Sequence, residues 1–329
     1  MFKVGIVGCG GIAQVHAAVL NAIGETKLCA CADVKPERAA AMAEKYGCRA
    51  YTSLEEMLSV EQLDAVHLCT PHYLHTPMAE TLAAHGIAVF TEKPPAMNKA
   101  QWTRLKALEG KVPIGICFQN RYNQNTVFIK QLIADGTYGC VLGARAFVTW
   151  SRGAGYYQDS DWRGRWDTEG GGALINQAVH TLDLLVWLLG RPDRVEAALQ
   201  NHHLRGIIEV EDTAEIYMDI GCKPVLLYAT TAYAQNSPVM IEFELEKATL
   251  RLEDKSLEIR TPAGVDRHVF TEPETLGKGY WGNGHLPCIS DFYASLRERR
   301  AYQNDIGSVE NTIEALVSIY EQGKVSLHS

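Results

Sequence analysis

The sequence has 329 residues, of which 47% are hydrophobic and 21% are charged, and this length allows two domains with sizeable cores. The formal net charge is −8, from 31 basic and 39 acidic side chains, which argues against nucleic acid or an anionic membrane as a partner. The longest apolar runs fall short of the roughly 20 residues that a membrane span needs. Nine scattered cysteines are typical of a reduced, cytoplasmic protein, and their spacing predicts no metal site.

The first part of the chain alternates short apolar runs with longer amphipathic stretches, a pattern typical of repeated βαβ units around a parallel sheet. Strands are predicted at residues 2–7, 27–33, 64–70, 87–92 and 112–118. Helices are predicted between them, at residues 11–21, 36–46, 76–85 and 99–109. These elements make most of a doubly wound α/β domain of the Rossmann type, which we assign to residues 1–121. Because the first strand starts at residue 2, no secretory signal is expected.

The second part, residues 122–329, has a different pattern. Helices are predicted at residues 125–135, 175–189, 286–299 and 308–323, and a strand at residues 141–150. Residues 151–172 are rich in Gly, Tyr, Trp and Arg and are expected to form an ordered loop over a site. Residues 194–260 alternate as antiparallel strands do. We therefore predict an α+β substrate-binding domain with a large open antiparallel sheet, whose exposed face is covered by another subunit in a homodimer or homotetramer.

A glycine-rich segment joins the first predicted strand to the first helix and has the pattern G-x-G-x-x-A, which in this context predicts a dinucleotide site. The residues assigned to it are Gly8, Gly10, Gly11, Ile12 and Ala13. Gly8 permits the tight turn, Gly10 lets the backbone approach a pyrophosphate, and Ala13 allows close packing of the helix. Asp33 ends the second strand, where a carboxylate meets ribose hydroxyls and favours NAD. Arg38 lies nearby and leaves NADP possible.

Polar residues follow two further predicted strands at the edge where ligands of open α/β sheets bind. Glu92 and Lys93 end the fourth strand, so Lys93 is expected where the nicotinamide ring lies. Thr70, Pro71 and His72 follow the third strand and are expected to contact the same cofactor from beneath. The alternative for Lys93 is a solvated loop lysine.

The helix predicted after the Gly170–Gly172 run carries Asn176, His180 and Asp183 at positions i, i+4 and i+7, which share one helix face. A histidine with polar neighbours can remove a proton near neutral pH, as the oxidation of an alcohol by hydride transfer requires. The alternative is a histidine that only makes structural hydrogen bonds.

Taken together, these segments resemble the glucose-fructose oxidoreductase, inositol dehydrogenase and MocA family of NAD(P)-dependent enzymes over essentially the whole chain. The resemblance is carried by residues 8–13, Asp33, 69–71 with His75, 92–94, Arg121 and 170–183. It implies that Lys93 positions and polarises the reacting hydroxyl and that His180 is the acid/base residue. Many members have an aspartate in place of Asn176. Because an amide cannot take a relayed proton, Asn176 is expected to hydrogen-bond the substrate.

The resemblance also implies substrate contacts outside these motifs. Residues 156–166 resemble the stretch that borders the substrate pocket in sugar-oxidising members, and Tyr157, Trp162 and Arg163 are the residues assigned to it. Aromatic faces and Arg donors suit a polyhydroxylated substrate. The alternative for this stretch is a dimer or packing loop. Arg121 and His285 are placed near the same pocket by resemblance.

The sequence thus predicts an NAD-dependent dehydrogenase, with NADP possible, acting on a secondary hydroxyl or the matching ketone of a sugar, sugar derivative or cyclitol. In this reaction His180 takes the hydroxyl proton, and Lys93 hydrogen-bonds the same oxygen and favours the developing alkoxide. Which of the two is the base stays open. Two other functions fit the same fold: an NAD-assisted glycosidase that recycles its cofactor, and a non-catalytic cofactor or sugar sensor. The presence of both Lys93 and His180 argues against the sensor.

Overall fold

The computed structural model describes residues 1–271 and 284–326, which form two compact units. The first unit comprises residues 1–122 and 284–309, and the second comprises residues 123–271 and 310–326. The helix His285–Glu298 is therefore part of the first unit, although its position in the chain grouped it with the second. The physical reason is burial, because Phe292 and Tyr293 of this helix belong to the core around the first strand.

The first unit is built on a six-stranded sheet in which all strands are parallel, in the order β3-β2-β1-β4-β5-β6. The strands are β1 (Phe2–Val7), β2 (Thr26–Ala32), β3 (Arg49–Tyr51), β4 (Ala65–Leu68), β5 (Ala88–Thr91) and β6 (Ile114–Ile116). The helices that accompany them are α1 (Gly11–Ala22), α2 (Pro36–Tyr46), α3 (Leu54–Val60), α4 (His72–Ala84) and α5 (Lys99–Lys106). This order confirms the predicted doubly wound parallel sheet.

Two details of the first unit differ from the sequence-based expectation. Strand β3 and helix α3 were not predicted, because a strand of three residues and a helix of seven are too short to show a period. Helix α4 begins at His72 rather than at Thr76, directly after Pro71 in the N-cap position. The side chain of His72 therefore belongs to the first helical turn and not to a loop.

The second unit contains a nine-stranded, mostly antiparallel sheet in the order β14-β13-β12-β11-β7-β10-β9-β8-β15. Its strands are β7 (Val141–Thr149), β8 (Arg194–Gln200), β9 (Thr213–Ile220), β10 (Lys223–Thr230), β11 (Met240–Leu245), β12 (Thr249–Glu253), β13 (Ser256–Thr261), β14 (Gly264–Val269) and β15 (Lys324–Ser326). Among the described strands of this sheet, only the β7–β10 and β8–β15 pairs are parallel. The predicted α+β architecture with a large, mostly antiparallel sheet is confirmed.

The remaining described helices are α6 (Gln124–Ala134), α7 (Ala154–Gln158), α8 (Val179–Leu189), α9 (His285–Glu298) and α10 (Ile306–Gln322). Short turns of other helical types cover Gln119–Tyr122 and Ala173–Ala178. Within residues 1–271 and 284–326, no helix combines the length and the hydropathy that a membrane span requires.

Candidate active site

The glycine loop between β1 and α1 leaves room for an anion. Gly8 has a φ of +85°, and a Cβ there would lie 2.5 Å from the carbonyl oxygen of Cys69, so only glycine fits. A Cβ on Gly10 or Gly11 would meet no described atom within 4 Å. As described, α1 has neither a side-chain cap nor an acidic residue in its first turn. Its first N–H groups and its dipole therefore suit a pyrophosphate, with Ala13 buried behind them.

Asp33 is held in place by the backbone around it. Its Oδ2 accepts a hydrogen bond from the Cys9 N–H (2.7 Å), and its Oδ1 accepts one from the Lys35 N–H (2.8 Å). A carboxylate has further lone pairs that can accept from ribose hydroxyls. Arg38 lies exposed in the first turn of α2, and Ile12 is half-buried in the first turn of α1. The residues present fit the adenosine half of a dinucleotide.

The turn after β5 carries Lys93, which is half-buried, and the Lys93–Pro94 peptide is cis. His75 joins this turn to the end of β4, because its Nδ1 lies 2.7 Å from the Pro94 carbonyl oxygen and its Nε2 lies 2.9 Å from that of Thr70. Burial lowers the pKa of His75. The structure thus brings together the two strand ends that the sequence assigned to the cofactor. His72 lies buried one helical turn before His75.

A buried hydrogen-bonded chain supports Glu92 from behind. His16 Nε2 donates to Glu92 Oε1 (2.9 Å), the Nδ1 atoms of His16 and His67 share a hydrogen bond (2.8 Å), and His67 Nε2 lies 2.9 Å from the Tyr293 hydroxyl. Burial acts to raise the pKa of Glu92, but the hydrogen bond and charge of His16 outweigh it and hold that pKa well below its usual range. Glu92 is therefore a carboxylate, and its Oε2 accepts from the Lys93 N–H (3.3 Å).

Neither His16 nor His67 was predicted as a site residue, and the available signal was a histidine within an otherwise apolar helix or strand. His285 lies in the same region: its ring centroid is 6.2 Å from that of His16, and burial lowers its pKa to about 4.

Ligand atoms of His16, Glu92 and Cys117 lie within 4.8 Å of one another. The first two already bond each other, and burial raises the pKa of the Cys117 thiol, so this cluster is a poor metal site.

Arg121 is fully buried, with its guanidinium 5.6 Å from the Phe118 ring centroid. It donates to the Ser308 carbonyl oxygen (3.3 Å). These contacts pack Arg121 against its own unit, and the substrate contact that the resemblance implied for it stays a prediction.

In the second unit, Gly171 and Gly172 allow the chain to pass close to Tyr320 and Glu211. A Cβ on Gly171 would lie 2.1 Å from the Tyr320 hydroxyl, and one on Gly172 would lie 1.9 Å from the Glu211 carbonyl oxygen. The Glu211 carboxyl accepts from the N–H groups of Gly172 and Leu174 and from the Tyr320 hydroxyl. Burial raises the pKa of Glu211 to about 7. This carboxyl anchors the start of the helix that carries the predicted site residues.

That helix is not uniform. Asn176 lies in a π-helical segment, Ala173–Ala178, and His180 lies half-buried in the first turn of α8. Because a π turn has i→i+5 hydrogen bonds, the constant rotation assumed for the polar face does not hold between these two residues. Asp183 is fully buried and accepts from the Thr312 hydroxyl (2.8 Å), so it is a packing residue and not a third member of an accessible polar face.

The side chain of Asn176 contacts the carboxyl group of Glu169, a residue that was not predicted to belong to the site. Its Nδ2 donates to Glu169 Oε1 (2.5 Å) and lies 3.4 Å from the Tyr156 hydroxyl. The other oxygen of Glu169 accepts from the Gly164 N–H (2.5 Å). Glu169 is fully buried, and this burial raises its pKa to about 7. The only sequence signal was an acidic residue directly before the three glycines.

The predicted pocket-bordering stretch, residues 156–166, has a buried part and an accessible part. Tyr157 is buried in a small cluster with Leu204, Ile208 and Val210, so its ring is a packing group. Tyr156, its neighbour, is only half-buried. The guanidinium of Arg163 lies 4.5 Å from the Tyr156 ring centroid and 5.0 Å from that of Trp162. Tyr156 therefore connects the Arg163–Trp162 pair to Asn176.

Comparison with known proteins agrees with both units. The model of an oxidoreductase family with an NAD-binding Rossmann fold matches residues 2–113, and the model of the GFO/IDH/MocA C-terminal domain matches residues 126–251. The chain belongs to the GFO/IDH/MocA family. The predicted family, its oxidoreductase class acting on CH–OH groups and its NAD-binding Rossmann domain are thereby confirmed.

Several relatives of this GFO/IDH/MocA protein are named dehydrogenases. It is 25% identical to an inositol 2-dehydrogenase of Rhizobium meliloti over 99% of this chain and 92% of that enzyme. It is 31% identical to a D-glucoside 3-dehydrogenase of Escherichia coli over 58% of this chain and 54% of that enzyme. A crystal structure of the WlbA dehydrogenase from Bordetella pertussis, in complex with NADH and UDP-GlcNAcA, is 30% identical and superposes with a TM-score of 0.84, covering 98% of this chain and 96% of that one.

Proposed function

We propose that this GFO/IDH/MocA protein is an NAD-dependent dehydrogenase that oxidises a secondary hydroxyl of a sugar, sugar derivative or cyclitol, or reduces the corresponding ketone. The observation that carries the proposal is the Lys93 turn, which His75 and the His16–Glu92 pair hold at the carboxyl end of the parallel sheet. When bound, NAD supplies the hydride acceptor or donor for this chemistry.

Lys93 has the role of polarising the reacting oxygen. A lysine ammonium is a compact point charge with three donors, and a hydrogen bond from it favours the alkoxide that develops as the hydroxyl is oxidised. The buried Glu92 carboxylate accepts from the Lys93 backbone N–H, which fixes the backbone from which the lysine side chain extends.

His180 has the role of the general base that accepts the hydroxyl proton. Its position in the first turn of α8 places it one turn after Asn176, which hydrogen-bonds the substrate in this proposal. The substrate class is supported by the relatives, since an inositol, a glucoside and a UDP-sugar each carry several secondary hydroxyls. The half-buried Tyr156, Trp162 and Arg163 offer aromatic faces and donors of the kind that bind such molecules.

The test is NAD or NADP reduction by the purified protein with a panel of inositols, aldoses, glucosides and nucleotide sugars, and NADH oxidation with keto-sugars. Lys93→Ala and His180→Asn are expected to lower kcat by about 100-fold or more, the usual contribution of general acid–base or electrostatic catalysis, with little change in the Kd for NADH. Lys99→Ala, an exposed lysine on α5, is the matched control and is expected to keep full activity.

Two outcomes contradict the proposal. Unchanged kcat in both variants would remove Lys93 and His180 from the chemistry. No change in cofactor absorbance with any substrate, despite measured NADH binding, would refute the dehydrogenase. In that case, release of free sugar from glycosides without net cofactor reduction would instead identify an NAD-assisted glycosidase.

We also propose that the open face of the nine-stranded sheet joins subunits into a homodimer or homotetramer. Leu226 on β10 is 42% exposed on this face, and its neighbours across the strands are Tyr217 and Arg145. An open sheet face that exposes a large apolar side chain is commonly covered by a partner. Leu226→Lys is expected to lower the mass measured by light scattering to that of a monomer, and an unchanged mass would argue against this interface.

A further inference from the structure

Glu169 is a buried carboxyl group whose two oxygens each have a defined donor. One oxygen accepts from Asn176 Nδ2 and the other from the Gly164 N–H, both at 2.5 Å. A carboxylate can only accept hydrogen bonds, so the amide of Asn176 must turn its nitrogen toward Glu169. The Tyr156 hydroxyl lies on the same side, 3.4 Å from Nδ2.

A planar amide has its donor and its acceptor on opposite sides. With Nδ2 directed at Glu169, Oδ1 of Asn176 is presented on the other side of the amide as a hydrogen-bond acceptor. The flipped amide would place Oδ1 against an ionised oxygen of Glu169, which is repulsive in a buried site. The ionised carboxyl therefore selects one of the two amide orientations.

We infer that Glu169 is a positioning residue for substrate binding, because it fixes Asn176 with its oxygen toward the substrate hydroxyl. This inference rests on the proposed function, in which Asn176 contacts the substrate. An ionised aspartate, which many family members have at this position, can only accept hydrogen bonds, and the fixed amide presents an acceptor in its place. This chain thus presents an acceptor without a charge on residue 176.

The orientation depends on the charge of Glu169. Protonated Glu169 can donate to Oδ1, which permits the flipped amide and presents donors to the substrate instead. The charged and titratable groups described around this carboxyl include Arg163, Tyr156, Tyr157, Glu211 and Tyr320. Burial raises its pKa to about 7 against the opposing Gly164 and Asn176 hydrogen bonds and the Arg163 charge. Activity should therefore rise with pH as Glu169 ionises.

A reciprocal exchange tests the pair. In Glu169→Gln, the amide oxygen stays with the Gly164 N–H and the amide nitrogen faces Asn176, which must flip. In Asn176→Asp, two carboxyl groups come into contact. Each single variant is expected to lose about 10- to 100-fold in kcat/KM, the factor that a hydrogen bond to a charged group contributes. In the double variant Glu169→Gln/Asn176→Asp, the new amide donates to the new carboxylate, the acceptor is restored, and most of the activity returns.

The controls separate positioning from folding. Glu196→Gln, an exposed residue on β8, is expected to behave as wild type. Thermal unfolding and the Kd for NADH are measured for every variant to confirm an intact fold and an intact first unit. The pH profile gives a further readout, because the rise in kcat/KM with an apparent pKa near 7 should be altered in Glu169→Gln, whereas a purely structural role would leave its shape unchanged.

The outcomes distinguish the two proposals. If wild type turns over a substrate and Glu169→Gln is fully active, or if the two losses simply multiply in the double variant, the positioning role is refuted and the dehydrogenase stands. If wild type binds NADH but shows no turnover with any of the substrates, the proposed function fails and this inference fails with it. Recovery in the double variant, together with the altered pH profile, supports Glu169.

Discussion

The His16–Glu92 pair supports the Lys93 turn, and its removal should have a large and pH-dependent effect. His16→Ala removes one buried imidazole from α1. Glu92 then stays buried without the donor that holds it ionised. His67 also loses its hydrogen bond to His16 Nδ1.

The expected loss of stability follows from that burial. Removing the hydrogen-bonding partner of a buried charge costs about 3–5 kcal/mol, because the charge is left uncompensated. In a folding unit of roughly 150 residues, 1 kcal/mol lowers Tm by about 2–4 °C, so the expected decrease in Tm is roughly 6–20 °C. Most of this loss is expected to disappear in His16→Ala/Glu92→Gln, where the charge is absent.

The sign of the pH dependence follows from the direction of the Glu92 pKa. In wild type this pKa lies below its ordinary value of 4.5, so Glu92 contributes stability above that pH and loses it as the pH falls. Without His16, burial raises the pKa of Glu92, and the folded variant prefers the protonated carboxyl. The difference in unfolding free energy between the two proteins should therefore be largest at neutral pH and shrink toward about pH 5.

The assay is urea unfolding of wild type and variant between about pH 5 and pH 8, followed by tryptophan fluorescence. His85→Ala is the matched control, because His85 is exposed at the end of α4 and should cost less than about 0.5 kcal/mol. A loss below about 1 kcal/mol, or a loss that does not change with pH, would refute the reasoning that Glu92 is held ionised by His16.

Three other substitutions give independent checks. Gly8→Ala should destabilise the protein and weaken NADH binding in fluorescence titration by at least about tenfold, because its Cβ would lie 2.5 Å from a carbonyl oxygen. Asp33→Asn should lower the ratio of kcat/KM for NAD over NADP, since the carboxylate repels a 2′-phosphate; an unchanged ratio would exclude that role. Burial raises the pKa of Glu211 to about 7, so this residue makes the protein less stable as the pH rises from about 4.5 to 7. Glu211→Gln should flatten that slope in urea unfolding, and an unchanged slope would contradict it.

The sequence by itself determined the Rossmann domain and its cofactor motif. Gly8, Gly10 and Asp33 lie in one contiguous strand–turn–helix–strand segment, and each conformation there is set by neighbours along the chain. The alternation of the later strands likewise predicted the mostly antiparallel sheet, because side chains on successive strand positions face opposite sides.

Only the tertiary structure decided which polar groups support these motifs. His67 and Tyr293 bond each other across 226 residues of sequence, and the π turn brings Asn176 back to Glu169. Short-range propensity and periodicity report which face of an element is buried. They do not report which distant polar group arrives at that face, because such pairs form only when the packed chain removes water from both partners.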